Sequence, residues 1–154
     1  MELKREAVKI IQKNKKAYFN YEILEKYEAG IALKGTEIKS IREGNFSINE
    51  SYARVDNGEV FIYNMDISPY KCGSIANHEP KRPRKLLLNK SEIKRLAGKT
   101  REKGLTIIPL ALYFKEGLAK LEIGVGKGKH LFDKRESIKK KMAEREMARV
   151  FKKR

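Results

Sequence analysis

The sequence predicts a mainly β fold: a small antiparallel β-barrel of the oligonucleotide-binding type, with flanking α-helices and a basic C-terminal tail. Three observations carry that expectation. Short stretches of alternating apolar and polar residues recur between Gly, Pro and Asn punctuation, which is the period-2 signature of strands with one buried face. Helical patterns fall between or beside these strands rather than in a run of their own. The chain has 154 residues, 40% of them apolar, which is enough for one modest core and cramped for two. The alternation ends in residues 124–135, Gly-Val-Gly-Lys-Gly-Lys-His-Leu-Phe-Asp-Lys-Arg, beyond which the chain is basic and helix-prone. The expected division is a mobile N-terminal arm over 1–14, a barrel domain over 15–126 and a basic tail over 127–154.

Residues 1–14 are polar and basic and predict a largely mobile arm, with Val8, Ile10 and Ile11 as loose anchors. Over 15–33, Tyr18, Phe19, Tyr21, Ile23, Tyr27, Ile31 and Leu33 largely alternate with polar residues, predicting strand structure with a bend or bulge at Gly30. Ile38 and Ile41 stand at helical spacing before Gly44, so 36–42 should be a short helix. Residues 52–55 and 60–63 flank Asp56-Asn57-Gly58-Glu59, and Asn-Gly supplies the positive φ values of a two-residue hairpin turn. A third strand-like piece over 65–70 ends at Pro69, and 71–84 is a surface loop rich in Gly, Asn, Pro and base. Asn89 and Glu92 have capping-box spacing, predicting a helix to about Lys103 that buries Ile93, Leu96 and Ala97. Residues 105–114 and 118–125 should be strands, with Pro109 at an edge or bulge.

Charge says more about function than any catalytic pattern. With 36 Lys and Arg against 20 Asp and Glu, the formal net charge is +16, which points to a polyanionic partner. No apolar run approaches the ~20 residues of a spanning helix, and the N-terminus has no signal-like apolar stretch. A cytoplasmic monomer with no membrane partner is therefore expected. Cys72 is the only cysteine and cannot form an internal disulfide. Lys81, Arg82, Arg84 and Lys85 crowd the loop before the second helix, and Lys90, Lys94, Arg95, Lys99 and Arg101 continue along it, favouring phosphate. Tyr18, Phe19 and Tyr21 offer rings for unpaired bases, although the alternation makes at least one of them core. From Lys134 onward ten bases stand against three acids, a net of +7. Self-repulsion predicts a tail that is disordered alone and helical once an RNA groove neutralises it; a stable helix lying on the barrel is the alternative.

No catalytic constellation stands out. His78 and His130 are the only histidines, and a zinc site with Cys72 would need a carboxylate and an unusual spacing. Ser40, Ser47 and Ser51 lie in no nucleophile-elbow pattern. The glycines of 124–129 lack Walker spacing, and are read instead as letting the backbone leave the barrel and approach a nucleic-acid backbone. No catalytic residue, metal or cofactor is expected.

Four ordered motifs then carry a family resemblance over nearly the whole chain: Asn14-Lys15-Lys16-Ala17, Glu28 to Ser40 (Glu-Ala-Gly-Ile-Ala-Leu-Lys-Gly-Thr-Glu-Ile-Lys-Ser), Arg84 to Asn89 (Arg-Lys-Leu-Leu-Leu-Asn), and Gly126-Lys127-Gly128-Lys129 followed by Asp133-Lys134-Arg135. The chain resembles the SmpB family of SsrA-binding proteins. That resemblance implies an adaptor of trans-translation, not an enzyme, that binds the tRNA-like domain of transfer-messenger RNA and enters ribosomes stalled on broken messages. The body stands near the decoding centre and the tail in the empty messenger channel, while alanyl-tRNA synthetase and elongation factor Tu are indirect partners. By position, Glu28, Leu87, Asn89 and Lys120 match residues that grip the tRNA-like domain, Phe19 matches a base-stacking position, and Arg84 and Lys85 extend the basic surface. Lys127, Lys129, Asp133, Lys134 and Arg135 match the ribosome-engaging motif, and Phe132 stands where the resemblance implies an aromatic or histidine that stacks in the decoding centre, keeping the stacking and losing the hydrogen bonding. Each also has a plain reading: Leu87 as core, Asn89 as a cap, Lys120 as a solvated strand residue, Glu28 as partner to a nearby base. The rival functions are a general single-strand RNA binder and an RNA-processing enzyme built on the barrel.

Overall fold

Strand pairing closes the main sheet into a ring. The structure is a computed structural model that describes residues 8–72, 77–102, 104–129 and 131–152; among these, the side chains of 131–134 and 150–152 are not described. In chain order the elements are β1 (Val8–Lys13), α1 (Lys15–Asn20), β2 (Tyr21–Ile31), α2 (Gly35–Arg42), β3 (Phe46–Ser47), β4 (Tyr52–Asp56), β5 (Glu59–Tyr63), β6 (Asp66–Ile67), β7 (Arg84–Leu87), α3 (Lys90–Thr100), β8 (Leu105–Lys115), β9 (Leu118–Gly128) and α4 (Leu131–Lys152). The antiparallel order β8-β4-β5-β7-β2-β9 returns to β8 through the β8–β9 pairing, and β1 extends the sheet on β8. Inside the ring, Ala29, Val60, Ile62, Leu86, Ile107, Leu112, Leu121, Ile123 and Val125 form one core, closed at its edges by Ile41 of α2 and Leu96 of α3.

The local turn chemistry is as expected. Asn57 (φ 49°) and Gly58 (φ 77°) make the β4–β5 turn, and Glu116 (φ 52°) and Gly117 (φ 77°) make the β8–β9 turn. The Glu92 carboxylate accepts from the Asn89 backbone N–H at 3.1 Å, half of a capping box at the start of α3. Pro109 does sit at a bulge, where the register with β9 slips between Pro109 and Ala111.

Three expectations change. Val8–Lys13 is not part of an arm but pairs with residues 111–115 of β8, because Ile11 packs on the core and the Gln12 carboxamide accepts from the Ile48 backbone N–H at 2.9 Å. Residues 15–20 are helix, not strand: the Asn14 side chain accepts from the Ala17 N–H at 3.2 Å and donates to the Pro109 carbonyl at 2.9 Å, which caps and anchors α1. The third strand shrinks to β6, which pairs with β3 in a separate two-stranded sheet. The tail over 131–152 forms the continuous helix α4. Its stretch 131–152 contains neither Gly nor Pro, and Glu136, Glu144 and Glu146 lie three or four residues from bases, so local propensity offsets the net repulsion.

One buried ion pair joins β7 to α2. Arg84 and Glu37 are both fully buried and joined Nε to Oε2, while Arg82 reaches Glu37 from the surface side. The remaining Arg84 N–H groups donate to the carbonyls of Met65 (2.6 Å) and Pro80 (3.0 Å), and the Lys34 N–H donates to Glu37 at 2.7 Å. Burial pushes the Glu37 carboxyl up, but the bonds from Arg82, the Lys34 backbone and Arg84 more than offset it and hold the group below its ordinary value of 4.5. A depressed carboxylate contributes stability that is present above the unfolded value and lost as pH falls. Glu37→Gln should therefore cost about 3–5 kcal/mol in urea unfolding at neutral pH by stranding Arg84, with the gap from wild type narrowing as the solution is acidified below the ordinary value. Glu37→Leu with Arg84→Met should recover much of the loss.

Candidate nucleic-acid interface

The outward faces of β7, β2, β9 and β8 form one continuous surface, and β1 borders it. Along one row Leu87 pairs with Gly30, Gly30 with Lys120, Lys120 with Tyr113, and Tyr113 with Ile10. The next row holds Glu28, Glu122, Ala111 and Lys13 in the same way. Paired residues share a face and alternate residues along a strand return to it, so Glu28, Lys120 and Leu87 meet although they come from three strands. Gly30 is where two strands pack closely, not a bend: a Cβ there would lie 3.2 Å from Leu87 Cβ.

Glu28 is the electrostatic centre of the surface. The buried Tyr113 hydroxyl donates to its Oε2, and Lys115 Nζ lies 3.5 Å from Oε1. These contacts, the Tyr113 bond foremost, hold the Glu28 carboxyl below its ordinary range, while burial and Glu28 together push the Tyr113 phenol far up. The result is a fixed anion with its direction set, in a strongly cationic protein. A carboxylate so held is an acceptor for the amino and imino donors of bases, not a proton shuttle. Below it a groove of about 540 Å³ runs toward Tyr18 and Lys26, whose ammonium sits 5.4 Å from the Tyr18 ring centroid.

The expected RNA-facing residues divide cleanly. Glu28, Lys85, Leu87 and Lys120 lie on this face, with Leu87 exposed by 53% and Lys85 also 3.1 Å from Glu59. Asn89 is exposed two residues beyond Leu87 at the start of α3. Phe19 is half-buried on α1, apart from the row. Arg84 is a correction: it points into the core with its hydrogen bonds committed to protein acceptors, so it cannot meet phosphate. Tyr113, Lys115 and Glu122 were missed because their importance comes from pairings that strand alternation alone does not reveal.

The ribosome-motif residues lie at the junction of β9 and α4. Lys127 is exposed in β9, and Arg135 is exposed in α4. Lys129 donates from its backbone to the Asn20 carbonyl (2.9 Å) and from Nζ to the Tyr18 carbonyl and Ser137 Oγ (both 3.0 Å), tying α4 to α1. Phe132, Asp133 and Lys134 fall in the first turn of α4, and their side chains lie outside those described. The glycines before the junction do not release the backbone as expected. A Cβ at Gly124 would meet Leu110 at 2.9 Å and Ile23 at 3.0 Å, and one at Gly126 would meet Tyr21 at 3.0 Å and Ile108 at 3.1 Å, so these glycines make room for the small apolar cluster under α1. As for a zinc site, His78 is buried with Nδ1 bonded to Thr36 and Nε2 to the Ile67 carbonyl, Cys72 is exposed, and His130 lies outside the described residues.

Comparison with known proteins fits this geometry. The SmpB protein family model matches residues 11–153. The chain belongs to the SmpB family. SsrA-binding protein from Carboxydothermus hydrogenoformans is 62% identical over 142 residues, spanning 92% of this chain and 95% of the relative. The Desulforudis audaxviator SsrA-binding protein is 58% identical, spanning 95% of each. A chain from a solved structure, described as "tmRNA-SmpB: a journey to the center of the bacterial ribosome", is 50% identical with a TM-score of 0.66, covering 82% of this chain and 93% of that one. The ring-like sheet with flanking helices is the fold of this chain, similar to that solved chain, and no helix among the described residues is long and apolar enough to cross a membrane.

If Tyr113 sets the charge state of Glu28, Tyr113→Phe should raise the Glu28 pKa toward the ordinary carboxylate value. Carbon-13 NMR of the side-chain carboxyl through an acid titration reads this directly. An unchanged titration would mean that Lys115 and Lys120 suffice.

Proposed function

We propose that this protein is the RNA-binding adaptor of trans-translation, holding the tRNA-like domain of transfer-messenger RNA on its barrel and bringing it to ribosomes stalled on messages without a stop codon. The observation that carries the proposal is the Glu28–Lys120–Leu87 surface, where an oriented acceptor, a cation and an exposed apolar side chain from three strands converge. Phosphate contacts alone would ask only for cations; a fixed carboxylate among them favours donors on base edges and penalises misplaced phosphate. Membership of the SmpB family and the printed names of the relatives support the same reading.

The tail supplies the second half. α4 leaves the barrel beside α1 and is basic along its length, with Ile138, Met142 and Met147 exposed. We place it in the empty messenger channel, where a cationic helix of 22 residues, roughly 33 Å long, meets RNA on all sides. Lys127, Lys129, Phe132, Asp133, Lys134 and Arg135 engage the ribosome at its base, near the decoding centre. The work is adaptor chemistry in the cytoplasm: alanine charging and delivery belong to alanyl-tRNA synthetase and elongation factor Tu.

The test is truncation after Phe132. The shortened protein should bind the tRNA-like domain within about twofold of full length, because the Glu28 surface is intact, and should fail to support peptide tagging on stalled ribosomes. Equal loss of binding and tagging contradicts the division of labour. Retained tagging contradicts the role given to the tail.

A further inference from the structure

We infer that the barrel carries a pocket for a single unstacked nucleobase, at the rim where the β8–β9 turn meets α2, next to the Glu28 surface. This rests on the RNA-binding reading above and adds a site to it. The pocket is a half-open hollow of about 200 Å³, with room for one planar heterocycle. Leu87, Leu118, Phe114, Arg42 and Lys120 are among the residues that line it. At Gly30 the Leu87 side chain occupies the room a Cβ would take.

Several observations point to a base rather than to an apolar peptide. Leu118 is 61% exposed and Leu87 53%, the two most exposed leucines of the described barrel, and they line the same hollow instead of lying scattered. The Arg42 guanidinium lies over the Phe114 ring, 5.7 Å from its centroid, so a cation and an aromatic ring meet in the pocket lining. Apolar walls with two cations among them match a heterocycle whose flanking phosphates are held by Arg42 and Lys120. Lys120 also belongs to the Leu87–Gly30–Lys120 row, so the pocket continues the RNA face, and a net charge of +16 selects a polyanionic occupant.

Leu118 is the residue that separates this inference from the reading beneath it, since its exposure means that Leu118→Ala leaves the core untouched. The experiment titrates the tRNA-like domain of transfer-messenger RNA, and an unrelated folded RNA, with wild type, Leu118→Ala and Leu118→Met at elevated salt. A series of the same domain with one abasic nucleotide at each unpaired position completes it. The expected result is about tenfold weaker binding by Leu118→Ala with an unchanged salt slope, rescue by Leu118→Met, and one abasic position that weakens wild type equally and removes the effect of Leu118→Ala. Leu118→Ala binding as wild type does, while wild type still prefers the tRNA-like domain, overturns the pocket and leaves the adaptor reading standing. A Leu118→Ala loss that persists at every abasic position overturns it too, because the contact is then not to a base. No preference in wild type itself removes the reading on which the pocket rests.

Discussion

The buried Arg84–Glu37 pair is the constraint on which the working surface depends. Arg84 begins β7, and its side chain is drawn inward by a carboxylate from α2 and by carbonyls at Met65 and Pro80. Once Arg84 points in, alternation sends Lys85 out, Leu86 into the core and Leu87 out. A one-residue slip of β7 would bury Lys85 and Leu87 and expose Leu86. The same pair fixes α2 against the barrel, which brings Arg42 to the rim beside Phe114. A hydrophobic pair of the same volume could stabilise the fold as well; what the ion pair adds is a unique register, because any other arrangement strands a charge.

Two bulges set the remaining geometry. In β2 the register with β9 slips between Ile23 and Glu25, and in β8 between Pro109 and Ala111. Beyond these points the outward positions become apolar: Tyr21, Ile23, Ile108 and Leu110 form a second cluster outside the ring, covered by Ala17 of α1. Gly124 and Gly126 of β9 lie between them and leave the space they fill. The barrel thus has a polar outer face around Glu28 and an apolar outer face under α1 on the same strands. Lys129 bonds to both α1 and α4 at the border of that second region, so the surface assigned to the tRNA-like domain and the helix assigned to the ribosome start from opposite ends of β9.

Much of this was legible in the sequence, for identifiable reasons. The hairpin at Asn57-Gly58, the helix of 35–42 and the strands flanking Glu116-Gly117 are determined by local chemistry, and local chemistry can be read directly. Lys15–Asn20 misled because it runs straight into the alternation of Tyr21, Ile23 and Tyr27, whereas the decision is made by Asn14, whose carboxamide bridges to Pro109 across 95 residues. Arg84 looked like one more base in a basic loop; only the position of Glu37, 47 residues away, turns it into a core residue. Glu28 and Lys120 were reached through family resemblance, but Tyr113, which orients Glu28, depends on strand pairing across the bulge in β8 and could not be read from periodicity.

The central claim is that the outer face around Glu28 reads a particular RNA shape and does not merely attract phosphate. Measuring the affinity of the full chain for transfer-messenger RNA and for an unrelated folded RNA across a salt series tests it most directly, because phosphate attraction fades steeply with salt while base-edge contacts fade little. The account predicts that both affinities fall but that the preference for transfer-messenger RNA widens as salt rises. Convergence of the two curves would contradict it and leave a general polyanion binder in its place.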